Sequence, residues 1–435
     1  MQYLLLIGSI VLYLVAPTDS YSLKICIYAF TLFLLGSVWG IYRLRKVEFF
    51  GFNLLFTISF FGCCYIFPIF IYNTDDAFSL FYYGYDYKVI TKTTCMASIA
   101  YSCYLCGLLQ RLRNVVMYKV QNVEEIYELR YAGVNANSTT LVSVLFLVAF
   151  LMFGGYSYLD KQYELGDMGG GMITYLYVLV TLIPILLTYS LNCQFRNRHL
   201  LVAVLFSALL LTTGSRTHPL SVLLGIFYVF TFRKKIPVYL IILLLLVGLV
   251  AMAFFGATRG GQELEMNSEV GFWGAFLDLI VNNRNLYDAY SLVQTKGHIP
   301  TVLFGPILAV VPLGQSLFCM LTGTPPNEMR SSLYITMEHF GANPPLGLGT
   351  NVVGDVYLGG GLIVVVILFY FLGRLITRSL YGIHVKKNIN WYIFYVTLVV
   401  NAVFICRGSF FLFLRPFVWT MVVLWIIRQV RVKRV

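Results

Sequence analysis

Apolar runs long enough to cross a bilayer recur along this chain, separated by short polar turns. Twelve can be marked, at 2–16, 22–42, 49–72, 89–109, 140–154, 171–192, 199–214, 218–232, 238–256, 352–373, 391–407 and 411–427. A helix rises about 1.5 Å per residue and the hydrocarbon core is about 30 Å thick, so about 20 apolar residues suffice to span it. A water-soluble core is excluded. Composition agrees, with 59% hydrophobic and 11% charged residues over 435 positions, where soluble domains carry roughly 25% charge. The short alternating strands of an outer-membrane barrel are missing from the pattern. The expected fold is therefore all-α, a polytopic integral membrane protein of about 12 transmembrane helices. The first run has no basic start and no small-residue cleavage site, and reads as a retained helix.

A net charge of +12 raises the question of nucleic acid. The basic residues instead sit in short clusters between apolar runs, as in cytoplasmic membrane loops, so no nucleic-acid partner is expected. With the N-terminus inside, clusters beginning at Arg43, Arg111, Arg196, Arg233, Arg374 and Arg428 all fall on the cytoplasmic side. They hold 20 of the 31 Lys and Arg residues but only four of the 19 acids, leaving 11 basic and 15 acidic residues elsewhere. Both termini are then cytoplasmic. The chain divides into a membrane part at 1–256, a large periplasmic loop at 257–351, and a second membrane part with a basic tail at 352–435. The loop holds an amphipathic stretch at 270–281 and an apolar one at 300–318. Pro300, Pro306, Pro312, Gly305 and Gly314 make the second a re-entrant or interfacial element rather than a span.

Six arginines escape the cytoplasmic clusters: Arg216, Arg259, Arg284, Arg330, Arg407 and Arg415. Arg216 lies in GSRTHP, after a run of only 15 residues from Leu200 to Gly214. Such a run is roughly 22 Å long at 1.5 Å per residue, shorter than the hydrocarbon core. Its turn is expected below the outer surface, where an arginine is costly and needs an anion. Guanidinium groups hold phosphate oxygens in bidentate fashion and keep their charge at any physiological pH. Pairing with an outer acid such as Asp278, Asp288 or Glu338 is the alternative use of any one of them.

Further along, PPLGLGTNVVGDVYLGGG at 344–361 places Asp355 at the mouth of an apolar run. An ionisable group there is either functional or a helix-terminal acid that balances the dipole. His218 and His339 add imidazoles, the side chain whose ordinary pKa lies nearest neutral, and Glu338 stands beside the second. A lone histidine is more often structural. No metal-ligand spacing or Walker motif occurs, so neither a metal nor another cofactor is expected. The nine cysteines lie mostly inside apolar runs, and Cys103 and Cys106 have no second pair to complete a zinc or redox site.

On this layout, and on GSRTHP, ATRGG and GLGTNVVGDVYLGGG, the chain resembles the O-antigen polymerases, the Wzy family of oligosaccharide repeat-unit polymerases. Asp355 stands where glutamate is at least as common. The resemblance implies a metal-independent, membrane-embedded glycosyltransferase of the GT-C type in the inner membrane of a Gram-negative bacterium. Its site would face the periplasm. Donor and acceptor would be undecaprenyl-pyrophosphate-linked oligosaccharides destined for lipopolysaccharide. Membrane lipids and a chain-length-regulating membrane protein would be its partners. Arginines would stabilise the leaving pyrophosphate, a carboxylate or imidazole among Asp355, Glu338, His339 and His218 would act on the acceptor hydroxyl, and Tyr357 would contact the glycan. A lipid-linked oligosaccharide flippase and an O-antigen ligase are the competing readings.

Overall fold

A computed structural model describes residues 1–72, 85–112, 114–115, 134–155, 172–212, 217–233, 239–240, 243, 277–341, 344 and 347–432. The principal helices are α1 (Gln2–Val15), α2 (Leu23–Leu44), α3 (Phe52–Cys64), α4 (Ile90–Leu109), α5 (Ala136–Met152), α6 (Met172–Cys193), α7 (Asn197–Thr212) and α8 (Thr217–Arg233). They continue with α9 (Asn282–Lys296), α10 (Thr301–Leu308), α11 (Gly314–Thr322), α12 (Ser331–Phe340), α13 (Val352–His384), α14 (Ile389–Cys406) and α15 (Leu414–Val432). Among the described residues there is no strand. Lipid offers the backbone no hydrogen bonds, so an apolar chain satisfies its own groups within helices. Among the described residues, four helices are long and apolar enough to cross a membrane: Leu23–Leu44, Tyr175–Cys193, Val352–His384 and Ile389–Cys406. Shorter apolar helices accompany them at Gln2–Val15, Phe52–Cys64, Ala136–Met152 and Asn197–Leu211. The run at 238–256 lies outside the described residues except for 239–240 and 243.

The bundle is organised around α4, which is buried along almost its whole length. Its hydroxyls explain how a helix of modest hydropathy sits at the centre. Ser98 and Ser102 meet Ser9 of α1 at 2.8 and 3.0 Å, and Thr93 and Thr94 bond back to their own helix. Against α13 the packing is through glycines. A Cβ on Gly107 would lie 2.0 Å from the Tyr370 carbonyl oxygen, and one on Gly373 would lie 2.1 Å from that of Tyr104. Small residues let two backbones approach this closely, which maximises dispersion where no hydrophobic force separates helix from lipid.

Two expected runs differ in detail. The run at 49–72 is helical only to Cys64 and then passes into a π-helical turn, Phe67–Ile71, at Pro68, which has no N–H to give an α-helix. The run at 352–373 continues as helix to His384, because nothing in 374–384 breaks a helix. It kinks at Gly361, where φ is +71°, a conformation that needs glycine. The 23 residues from Leu362 to His384 make roughly 34 Å, enough for a crossing. The nine before them, Val352 to Gly360, form a separate tilted piece that meets α9.

The stretch at 277–341 is itself helical and seats on the end of the bundle where α13 begins. The Ile299 N–H donates to the Leu358 carbonyl at 2.8 Å. The 300–318 element is a hairpin of two short helices, α10 and α11, turning through Leu313 in the left-handed region at φ +61°. A Cβ on Gly305 would lie 1.8 Å from the Met329 carbonyl oxygen, so only glycine lets the hairpin close on the following segment.

Candidate functional site

Helix α9 has the sequence NNRNLYDAYSLVQTK, and its polar start is buried rather than solvated. Asn282, Asn283, Arg284, Asn285 and Asp288 are each at most 4% exposed. Burying such groups is costly unless each finds a partner. Asn283 donates to the Gly62 and Ile280 carbonyls, both at 2.9 Å. Asn285 donates to the Leu348 carbonyl at 2.8 Å. Asn351 caps α13 through its side-chain oxygen and donates from its amide to the Cys63 carbonyl at 2.9 Å. These bonds fix α9 against α3 and against the loop of Gly347 and Gly349.

Within this frame, Arg284 Nε donates to Asp288 Oδ2 at 3.1 Å, an i,i+4 pair on one helix face. Arg284 Nη2 donates to Asn285 Oδ1 at 3.2 Å. From α12, His339 Nε2 meets the same Asp288 oxygen at 3.1 Å. Exposure then rises outward: the side chains of Arg284, Asp288 and His339 are 0, 5 and 25% exposed. The result is an imidazole at the surface, oriented by a buried carboxylate that a fully buried guanidinium holds in turn. That is the geometry of a positioned proton acceptor.

Around it, Glu338 pairs with Lys296 at the end of α9. The Glu338 hydrogen bond raises the Lys296 ammonium above its ordinary pKa. Tyr290 stacks on Tyr357 with ring centroids 5.3 Å apart and planes at 10°, and His298 meets the Tyr357 edge at 6.0 Å. Gly349 has φ +74°, and a Cβ there would lie 3.4 Å from Asn282 Oδ1 and 4.0 Å from the Arg407 carbonyl oxygen. The glycine loop, the α9 start and the Arg407 turn are therefore neighbours.

The other sequence candidates stand as follows. Asp355 is 0% exposed. It accepts hydrogen bonds from Ser331 Oγ, from Ser409 Oγ at 3.1 Å and from the Phe410 N–H at 2.9 Å. Its carboxylate ties the start of α12 and the α14–α15 turn to α13. His218 is buried, with Nε2 3.2 Å from the Tyr177 hydroxyl. Arg330 is exposed and reaches Gln315 at 3.4 Å, and Arg415 lies within electrostatic range of Arg330. Arg284 takes the alternative of pairing with Asp288. Arg216 and Arg259 lie outside the described residues. The four described arginines of the six candidates thus occupy three places: the α9 core, the turn after α14, and the hairpin beside α15.

Sequence reading gave no part to Asn282, Asn283, Asn285, Ser331 or Ser409. The run NNRN with an acid four residues after its arginine was the available signal. Among the described residues no group of His, Cys, Asp and Glu side chains could hold a metal ion. No protein-family model, curated protein or solved structure matches this chain.

Proposed function

We propose that this protein is a membrane-embedded glycosyltransferase that polymerises undecaprenyl-pyrophosphate-linked oligosaccharide repeat units at the periplasmic face of the bacterial inner membrane. The observation that carries the reading is the Arg284–Asp288–His339 chain, in which an imidazole one quarter exposed rests on a buried ion pair. In this reading His339 takes the proton of the acceptor hydroxyl as that oxygen bonds to the anomeric carbon of the donor glycan. The bond from that carbon to the pyrophosphate oxygen breaks, and undecaprenyl pyrophosphate leaves with the electron pair. Asp288 holds the ring and stabilises its protonated form, and Arg284 acts through Asp288 as a positioning residue. Arg407 beside the glycine loop, with Arg216 and Arg259, is assigned to the leaving pyrophosphate. Tyr357 and Tyr290 supply a stacked aromatic surface for sugar. The twelve-span layout and the cytoplasmic termini belong to the same proposal and rest on the charge pattern.

The test is a lipopolysaccharide gel from a deletion strain complemented with wild-type protein or with His339→Gln at matched protein levels. The proposal expects a full ladder for the first and core plus one repeat unit for the second. A ladder from His339→Gln removes the assigned base. A deletion strain with no unit on the core points to a ligase, and one with units trapped inside points to a flippase.

A further inference from the structure

The α10–α11 hairpin is built for a surface that water does not cover. From Gly297 to Asn327 there is no Asp, Glu, Lys or Arg. Phe304, Ile307, Val311, Leu317, Met320 and Leu321 on it are between 41 and 76% exposed, too contiguous an apolar face for an aqueous loop. The hairpin lies against the bundle below the end of α15. Trp419 Nε1 donates to the Val310 carbonyl at 2.9 Å, and Trp419 stands five residues past Leu414, roughly 7.5 Å along the helix. Tryptophan with a satisfied N–H is common at membrane interfaces, and Arg415 stands one helical turn before Trp419 on the same helix. The two helices that the hairpin packs against also carry exposed apolar side chains, Ile363, Ile367 and Phe371 on α13 and Val422 and Ile426 on α15.

A pair of cations stands beside this face. Arg330 is exposed and its side chain donates to Gln315 of α11, and Gln315 in turn donates to the Gly305 carbonyl at 2.8 Å. Half-buried Arg415, at the start of α15, lies within electrostatic range of Arg330. Neither forms an ion pair with a carboxylate among the described residues. Two like charges on packed elements, one bonded to α11 and one on the helix that meets Val310, call for an anion. The site is separate from the Asp288–His339 pair: Arg330 precedes α12 and His339 is near its far end, nine residues on, roughly 13 Å away along the helix.

We propose that Arg330 and Arg415 hold the headgroup phosphate of an anionic membrane phospholipid whose acyl chains lie on the exposed face of the α10–α11 hairpin. Guanidinium groups suit phosphate oxygens, and exposed apolar side chains stand on the hairpin beside them. This favours a lipid phosphate over a free one.

The experiment is native mass spectrometry of purified full-length protein released from nanodiscs of phosphatidylcholine with phosphatidylglycerol. Wild-type protein is expected to keep one phosphatidylglycerol per chain. Arg330→Gln/Arg415→Gln should lower that retention about 25-fold, two cations each contributing about fivefold near a membrane surface. Arg330→Gln alone, at an exposed position that leaves folding intact, should lower it about fivefold. Lys386→Gln, at the other end of α13, should leave it unchanged. Equal retention by wild type and both arginine variants overturns the proposal. So does displacement by inorganic phosphate, which marks a free-anion site, or by undecaprenyl pyrophosphate, which gives the seat to the substrate.

Discussion

Asp288→Asn is the substitution with the largest calculable consequence. It removes one charge and no volume, and it takes the Asp288 carboxylate from Arg284, whose side chain is 0% exposed. Breaking a buried ion pair from one side costs about 3–5 kcal/mol, because the surviving charge keeps its desolvation cost without its attraction. In a protein of this size that should lower the melting temperature in detergent by about 3–5 °C. Removing the second charge as well reverses the effect. Arg284→Met/Asp288→Asn should melt above Asp288→Asn alone, since two neutral side chains need no ionic partner. Activity should not follow stability. In both variants His339 has lost the carboxylate that orients it, so glycan chains should stay short although the double variant is stable. Differential scanning fluorimetry and lipopolysaccharide gels on the same preparations separate the two effects. Melting of Asp288→Asn within about 1 °C of wild type, or a double variant less stable than the single, would refute the buried-pair reasoning.

Other expectations follow from single contacts. His339→Gln should express at wild-type level yet transfer glycan about 10²–10⁴-fold more slowly, the range for loss of a general base, as read by a radiolabelled repeat-unit assay. Asp355→Ala orphans the Ser331 and Ser409 hydroxyls and the Phe410 N–H, and should destabilise the protein by about 2–5 kcal/mol whatever its chemistry; a stable variant with altered chain length would move Asp355 back among the chemical groups. Gly107→Leu and Gly373→Leu place side chains where backbone oxygens stand 2.0 and 2.1 Å away, and should abolish accumulation of folded protein on fluorescence-detected size exclusion. Lys296→Gln breaks an exposed pair with Glu338 and should leave the melting temperature unchanged, since such pairs contribute little.

The helical class of the protein was legible because lipid imposes it: apolar runs of crossing length can only be helices. That 300–318 is not one straight helix was legible for a related reason, since Pro306, Pro312 and Gly314 interrupt it. Less could be read where the determinant is a contact between distant segments. Nothing in the sequence around Gly361 places its kink against His298, and nothing around Asp355 announces Ser331 and Ser409 as donors. The arginines show the same limit. All six look alike as uncompensated outer cations, yet Arg284 is enclosed with Asp288, Arg330 and Arg415 stand at the hairpin, and Arg407 adjoins the glycine loop. Asp288 and His339 are 51 positions apart, so only folding brings their pairing into view.

The central claim is bond formation between two lipid-linked glycans at the His339 site. Its most direct test is purified protein in liposomes with a defined undecaprenyl-pyrophosphate-linked repeat unit and excess EDTA, with products resolved by mass spectrometry. The account predicts dimers and longer glycans, with one undecaprenyl pyrophosphate released per bond, and neither product from His339→Gln. Movement of intact repeat units across the bilayer without any new glycosidic bond would contradict it.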